Sequence, residues 1–519
     1  MSLGSKLLSG AAIARSTLTP LERPDRLPRA LVAMAPWGSS MAGLVAGAAA
    51  RYPERVAVLD DAGSTTYEAL WHRSQAIAAG LAARDVGPGV RVGLLARNRV
   101  GFVEAMTAVA ATGADLVLLN TGFAGPQLAD VVDSEAIDVV VHDDEFTALL
   151  AGSTALLIDE TELDQLSRSG SVSPPTRAGS VVILTSGTTG RPKGAARRSN
   201  PSAIDGVGAV LDRIPLRLGD TQVVAAPLFH AWGLSHLLLG LSRCTTNVFA
   251  RRFEPAGTLA ALDEHHARVL VVVPVMLARM MQLEPEVLAA HPLPELRVIA
   301  SSGSAIGGEL VTRVLDRFGP VLYNLYGSTE VAVAAIATPD DLRAEPTTAG
   351  RVALGVDLAV LDPDGAPVPP GAVGRVFAGS SSAFEGYTNG DDKERIRGML
   401  SSGDMGRLHH GLLFIEGRDD DMIVSGGENV FPEEVEELLR AHPSIADAAV
   451  VGVDDDDFGQ ALAAFIVKAP GATISASQVK AHVAAELARH KVPRRVSFLR
   501  ELPRNATGKL LRRELAART

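Results

Sequence analysis

Short apolar runs alternate along the first two thirds of the chain with stretches whose apolar residues recur at helical spacing. Residues 55–60, 90–96, 115–120, 137–142, 181–183, 221–226, 268–273 and 297–301 read as strands, several of them apolar enough to be buried. Between them the spacing predicts helices at 41–50, 65–83, 100–111, 127–133 and 309–318. Thr65 with Glu68 three residues on suggests a capping box for the second of these, and Gly87-Pro88-Gly89 stops it. Regular strand–helix alternation predicts parallel sheet with helices on its faces, hence an α/β fold. In open sheets of that kind, ligands bind at the carboxyl ends of the strands.

The texture changes past Glu330. Residues 350–379 are rich in Val, Gly and Pro, with a turn signal at Asp362–Gly365, and predict a compact β-subdomain of hairpins. The charged cluster at 417–421 looks like a domain boundary. After it come a helix opened by Pro432, strands at 446–453 and 461–468, and a helix at 477–490 with Ser475 or Ser477 available as its cap. Glu433, Glu434 and Glu436 sit in the first turn of the Pro432 helix, where its dipole favours acids. The expected organisation is an arm at 1–40 with little periodicity, a large domain at 41–419 and a small mobile α+β domain at 420–519.

Composition narrows the class. The chain has 519 residues, 47% hydrophobic and 21% charged, which describes a globular protein with ample core. A formal charge of −11 argues against a nucleic-acid partner. The single cysteine, Cys244, excludes an intramolecular disulfide framework and fits a reducing, cytoplasmic setting, with a structural rather than a nucleophilic role. No apolar stretch is long enough for a membrane span. The N-terminus has Lys6 before a short apolar run that Arg15 ends early; a signal peptide is not expected, and an arm touching a membrane peripherally stays open.

The candidate chemistry clusters at predicted strand ends. VVILTSGTTGRPKG at 181–194 opens as a strand and then turns small, hydroxylated and glycine-rich. Its glycines let backbone N–H groups approach an anion, its hydroxyls add donors and Lys193 adds a point charge, so it can grip a polyphosphate or simply be a surface loop. It is not a Walker loop, because Arg191-Pro192 separates Gly190 from Lys193. His230 lies in the apolar turn 227–233, either as a satisfied structural histidine or as a pocket residue. Ser301–Ala305 is a small-residue loop against which a flat ring could lie. At 326–330, YGSTE offers an aromatic platform, hydroxyls and a carboxylate able to hold Mg²⁺. Asp404 beside glycines can take two ribose hydroxyls or be a turn aspartate. Asp454–Asp457 reads as a solvated loop rather than a metal site, and PRNATGKL at 503–510 places Lys509 on a glycine turn.

These motifs in this order resemble the adenylate-forming superfamily of acyl- and aryl-CoA synthetases, peptide-synthetase adenylation domains and firefly-type luciferases. The resemblance rests on TSGTTGRPKG (185–194), PLFHAWG (227–233), YGSTE (326–330), SGDMGR (402–407), GRDDDMIVSGGENVFPEEVE (417–436) and PRNATGKL (503–510), and covers the chain from about Met41 to its end. LNTGFAGPQL at 119–128 makes it most similar to bacterial fatty-acyl-CoA synthetases. The resemblance implies that Thr185, Ser186, Gly187, Thr188, Thr189, Gly190 and Lys193 hold the β- and γ-phosphates of ATP. It implies Tyr326 stacked on adenine with Gly303 and Ser304 on the other side, Thr329 on the α-phosphate, Glu330 on Mg²⁺, and Asp404 on the ribose with Arg418 nearby. Lys509 would bridge the substrate carboxylate and the α-phosphate. Asp420 would be the hinge of a rotation that withdraws Lys509 and brings the loop of Gly426 and Gly427 to the thiol site. His230 would border and gate the acyl pocket.

The implied activity is an acid–thiol ligase: a fatty acid is activated by ATP to acyl-AMP and passed to coenzyme A. Small residues at Gly233, Ala332 and Ala334 suggest room for a medium or long acyl chain. Transfer to an acyl carrier protein instead of CoA stays open, as does a non-catalytic regulator that binds acyl groups or nucleotide. The intact Lys193, Glu330, Asp404, Arg418 and Lys509 speak against the regulator. Ala195-Ala196-Arg197-Arg198 departs from the apolar continuation usual after the lysine motif. Oligomeric state is left open, a homodimer included.

Overall fold

A strand buried on both faces of a parallel sheet needs an unbroken apolar run. Val269–Val272 supplies one, all four residues buried. The computed structural model describes residues 3–17, 23–168, 170–186, 192–197, 203–380, 386–388, 393–418, 423–425, 428–455, 459–487, 491–505 and 508–518. Among them, Val269–Val272 is the central strand of a nine-stranded sheet. Leu322–Ser328, Val298–Ser301, Val269–Val272, Thr221–Val224, Thr246–Val248 and Val56–Asp60 run parallel in that order. Antiparallel strands close both edges, Ala332–Ala337 with Arg351–Val352 on one side and Gly63–Thr66 on the other.

A second sheet orders Leu156–Ile158, Val139–His142, Arg91–Leu95, Asp115–Leu118 and Val181–Ser186 in parallel. The last of these then pairs antiparallel with Pro192–Arg197. The α/β class is therefore as expected, and so is the β-subdomain, whose antiparallel sheet contains Asp357–Leu361, Gly374–Gly379, Arg395–Ile396, Met399–His409 and Leu412–Arg418. The C-terminal α+β unit packs Pro432–Arg440 and Ala476–Glu486 with Ile445–Asp455, Gly459–Lys468 and Arg495–Leu499 around its own core, which includes Val435, Leu439, Leu462, Val479 and Val483. Among the described residues no helix is long and apolar enough to cross a membrane.

Buried side-chain amides tie the two large sheets together. Asn98 follows the Arg91–Leu95 strand and donates to the carbonyls of Val224 (3.1 Å) and Ala226 (2.9 Å). Its own oxygen accepts from the Leu228 N–H at 2.9 Å. A strand end in one sheet thereby fixes the turn that leaves Thr221–Val224 in the other, and with it the start of the Ala231–Ser242 helix. Across the C-terminal junction, the Glu437 carboxylate accepts from the Gly308 N–H (3.0 Å), at the head of the Gly308–Phe318 helix. That helix has no side-chain cap of its own.

Several expectations are corrected. The first 40 residues hold two helices, Leu3–Thr17 and Arg26–Met34, rather than an arm without periodicity. The buried face of the first includes Ser9, Ala12 and Ser16, small and largely polar residues that carry little hydrophobic signal. They allow close packing: a Cβ on Gly208 would lie 2.5 Å from that of Ser9. The cap of the Tyr67–Ala82 helix is Thr66, which accepts from Ala69 N–H and ends the edge strand Gly63–Thr66, so the helix begins one residue later than Thr65 would set it. Asp454 and Asp455 close a strand rather than a loop, and Asp455 pairs with Arg494 at 3.1 Å; Asp456 and Asp457 lie outside the described residues. Glu436 serves tertiary structure more than its helix dipole, for it is buried, accepts from Val450 N–H at 2.7 Å and binds the Arg512 guanidinium. Ser475 caps Ala476–Glu486 with a full capping box.

One buried group makes this fold acid-sensitive. His236, on the Ala231–Ser242 helix, is fully buried with its ring edge-on to Trp232 at 4.4 Å. Neither ring nitrogen has a hydrogen-bond partner among the described residues. Burial, aided by the positive charge of Arg243, lowers its pKa to about 3. An imidazole that stays neutral when folded and protonates when unfolded withdraws stability as pH falls from its unfolded pKa toward its folded one, at roughly 1.4 kcal/mol per pH unit. His236→Leu should therefore lose less melting temperature than the wild type between neutral and mildly acidic pH. An identical drop in both proteins would show that His236 does not carry this sensitivity.

Candidate active site

The parallel strands deliver their carboxyl ends to one edge of the nine-stranded sheet, and candidate residues collect there. Beyond Thr221–Val224, His230 forms the N-cap of Ala231–Ser242. Its ring sits 4.5 Å from that of Phe229, and its buried Nε2 has no partner among the described residues. Burial lowers its pKa to about 4, so at neutral pH the ring is uncharged. The turn is tight: a Cβ on Gly233 would come within 2.3 Å of the Pro227 carbonyl oxygen. Gly233 is thus small because backbone fills the space beside it, which removes it from the argument for a roomy acyl pocket. Trp232 anchors the same turn by donating to the Val272 carbonyl at 2.9 Å.

Gly303 follows Val298–Ser301 with φ +100°, a backbone region that favours glycine, and its side-chain direction points toward Val273. Ser302 donates to the Leu325 carbonyl at 2.8 Å, locking this loop, which also carries Ser304, to the neighbouring strand. From the C-terminal unit, Gly508 packs on Val275, close enough that a Cβ would clash at 2.2 Å. Lys509 is therefore brought to the same edge, next to the segment that touches Gly303. Its turn is stiff. Gly508 N–H donates to Asn505 O and Lys509 N–H to Asn505 Oδ1 (2.9 and 2.8 Å), while Arg504 spans Gly508 O and Asp447, both at 2.8 Å.

A second group sits where the nine-stranded sheet meets the β-subdomain. Tyr326 and Glu330 lie at and just beyond the end of Leu322–Ser328, with Thr329 half-buried between them. Asp404 is not a turn residue: it stands within the long strand Met399–His409, in register with Arg418. The Tyr326 hydroxyl donates to Asp404 Oδ2, and Arg418 donates to Oδ1 at 3.2 Å. Burial and the adjacent Asp404 charge push the Tyr326 phenol well above its ordinary pKa. Each Asp404 oxygen keeps one lone pair for a further donor.

Glu330 is buried yet held in its charged form. Burial alone would raise its pKa, but hydrogen bonds from Tyr387 (2.6 Å) and Ser328 (2.7 Å), with the positive charge of Lys393, bring it below the ordinary value. Tyr387 is placed by backbone and by its neighbour. Residue 387 bridges to Ala195, Thr388 N–H donates to Gly194 O at 2.8 Å, and the Thr388 hydroxyl donates to Glu135 at 2.8 Å. Tyr387, Lys393 and Ser328 were not assigned from sequence. Only the scarcity of tyrosine, five in the chain, hinted at the first.

The glycine-rich stretch is bounded by a hairpin, with Thr185 opposite Lys193 and Ser186 opposite Pro192. Lys193 thus belongs to a strand rather than to the loop. Gly187, Thr188, Thr189, Gly190, Asp420, Gly426 and Gly427 lie outside the described residues. Among the described residues no group of three or more His, Cys, Asp or Glu side chains could by itself hold a metal ion. Glu330 alone suits a cation that keeps most of its ligands as water and substrate phosphate, as Mg²⁺ does.

Two protein-family models match the chain. Residues 45–388 match the AMP-binding enzyme family, and residues 434–509 match the AMP-binding enzyme C-terminal domain. The chain is 33% identical to an indoleacetate–CoA ligase of Aromatoleum aromaticum, over 93% of this chain and 98% of that one. It is 32% identical to the fatty acid–[acyl-carrier-protein] ligase ScoC of Streptomyces coeruleorubidus, over 90% and 94%. Among solved structures, ATP-bound MatB from Rhodopseudomonas palustris superposes with a TM-score of 0.82 at 27% identity, covering 92% of this chain and 98% of that one. With the family matched over more than half its length, followed by that family's C-terminal domain, the chain belongs to the AMP-binding enzymes.

Proposed function

We propose that the protein is an acid–thiol ligase that uses ATP and Mg²⁺ to convert a carboxylic acid, a medium- or long-chain fatty acid, to acyl-AMP and pyrophosphate, then transfers the acyl group to coenzyme A. The observation that carries this reading is the convergence of Lys509, Gly303, His230 and the Tyr326–Asp404–Arg418 group on the carboxyl edge of one parallel sheet. Such an edge is where α/β sheets bind nucleotides. The fatty-acid assignment is supported by the likeness to ScoC; the likeness to an aryl-acetate ligase makes aromatic acids the natural comparison.

In this reading Tyr326 stacks on adenine, with Gly303 and Ser304 on the other side. Asp404 uses its spare lone pairs for the ribose hydroxyls, with Arg418 paired to it at 3.2 Å. The 185–190 segment and Lys193 hold the β- and γ-phosphates, and Thr329 the α-phosphate. Mg²⁺, when bound, neutralises phosphate charge and polarises the P–O bond that breaks. Glu330 is the carboxylate that would hold it, kept charged by Tyr387 and Ser328. The acid's carboxylate must approach an anionic phosphate, so a fixed positive charge between them lowers the barrier. Lys509 supplies that charge, its backbone N–H held by Asn505 Oδ1. The neutral His230 borders the acyl group. Thiol transfer needs the space Lys509 fills, so the small domain rotates about Asp420 and presents Gly426 and Gly427. The likeness to ScoC also supports a second acceptor, a carrier-protein thiol.

ATP–pyrophosphate exchange across a panel of fatty and aromatic acids tests the activity. Exchange with fatty acids is expected, preference for aryl acids would overturn the fatty-acid assignment, and silence with every acid would overturn the enzyme. Thioester formation with free CoA, in the absence of carrier protein, decides the acceptor. Lys509→Ala should slow acyl-AMP formation by on the order of 10²–10³-fold while sparing thioester formation from supplied acyl-AMP. Equal losses in both steps would contradict the role given to Lys509. Tyr387→Phe removes a hydrogen bond that holds the Glu330 pKa down, so the acid limb of the exchange rate should move to higher pH, with near-normal rates at alkaline pH. An unmoved limb would mean that Tyr387 does not tune Glu330.

A further inference from the structure

We propose that the N-terminal helical region docks on an anionic lipid surface through the outward face of the Arg26–Met34 helix. This helix packs inward through Ala30 and Met34. A Cβ on Gly43 would meet Met34 Cγ at 3.2 Å, and one on Gly47 would meet the Ala30 carbonyl oxygen at 3.3 Å. The outward face is apolar instead of polar. Pro28, Leu31, Val32, Ala35 and Pro36 are all exposed, Leu31 to 53% and Val32 to 74%. Their spacing of three, four, seven and eight residues puts them on one side of a helix continued by the Ala35–Trp37 turn. A soluble helix that keeps its hydrophobic stripe toward solvent needs something to cover it.

Charge identifies the cover. The first 40 residues hold five basic side chains, Lys6, Arg15, Arg23, Arg26 and Arg29, against two acids, Glu22 and Asp25, in a chain of net charge −11. Arg23 is exposed, and Arg29 is exposed beside Asp25 at 2.9 Å. Arg26 and Arg55 both stand over the Tyr52 ring, at 4.4 and 4.3 Å, adding two cations near the start of the helix. A second copy meeting this face about a twofold axis would bring like charges together. A bilayer of anionic phospholipid instead accepts the Leu and Val side chains at its acyl boundary and the arginines at its headgroups. A single short helix gives weak, reversible and salt-sensitive attachment.

Co-sedimentation of the full-length protein with vesicles tests this, using phosphatidylcholine alone against equal parts of phosphatidylglycerol and phosphatidylcholine. The protein should pellet with the mixed vesicles, less so as salt rises, and stay in solution with phosphatidylcholine. The Leu31→Asp/Val32→Asp double variant should lower the vesicle partition coefficient at least about tenfold, the loss expected from even one of its two apolar side chains. Its melting temperature should stay that of the wild type, since the changed positions face solvent. Equal pelleting on both vesicle types, or variant binding equal to wild type, overturns the proposal. So does a wild-type dimer in sedimentation velocity that the double variant converts to monomer, because a second copy would then be the cover.

Discussion

The Tyr326 hydroxyl on the Asp404 carboxylate is the contact on which the candidate site depends. Tyr326 ends a strand of the nine-stranded sheet, Asp404 lies within a strand of the β-subdomain, and Arg418 closes the chain of bonds from the strand paired with it. Two independently hydrogen-bonded sheets thus share one polar group at their meeting point. An unpaired carboxylate there would be costly to bury, so the partners are required by desolvation before any ligand arrives. In the reading proposed above, the same group receives a nucleoside that offers a flat ring and two hydroxyls.

Similar ties recur around the rim. Asn98 joins the two parallel sheets, Tyr387 and Thr388 join the hairpin at 192–197 to Glu330 and Glu135, and Arg504 joins the lysine turn to the small sheet. Each replaces water around a buried polar atom with a directional protein contact, and the low dielectric between sheets makes such contacts strong. The site is held by these side-chain bonds rather than by its loops alone. Its positively charged turn and its negatively charged carboxylates accordingly come from separate sheets.

Much of the fold was legible because parallel strands and their helices write periodic apolar patterns. Strand existence followed from runs such as Val269–Val272, although predicted ends ran a residue or two long where the final residue leaves the ladder; the order of strands within each sheet was not predicted. What the pattern concealed had other physical causes. The first helix buries Ser9, Ala12 and Ser16, so close packing by small residues stood in for hydrophobic burial. The glycines beside Asp404 left a turn open as the alternative to a ribose site, yet they ease a bulged long strand past Arg418 and Phe414. The motif residues could be listed from sequence, but Tyr387 could not be matched to Glu330, because a contact across 57 positions leaves no local trace. Gly233 showed the opposite error, since a small residue marks a neighbour's approach as readily as an open pocket.

The Gly308–Phe318 helix borrows its cap. Gly307 at its N-cap offers no side chain, and the acceptor for the first helical N–H is the carboxylate of Glu437, carried by a helix of the C-terminal unit. Helix caps contribute roughly 0.5–2 kcal/mol, here strengthened by a full negative charge at the positive end of the helix dipole. Separation of the two units would uncap one of them, leaving water to satisfy the exposed donor. In the rotation proposed above, the small unit would therefore withdraw a borrowed bolt: letting go of Gly308 is one cost of leaving this orientation, set at a point away from the candidate site.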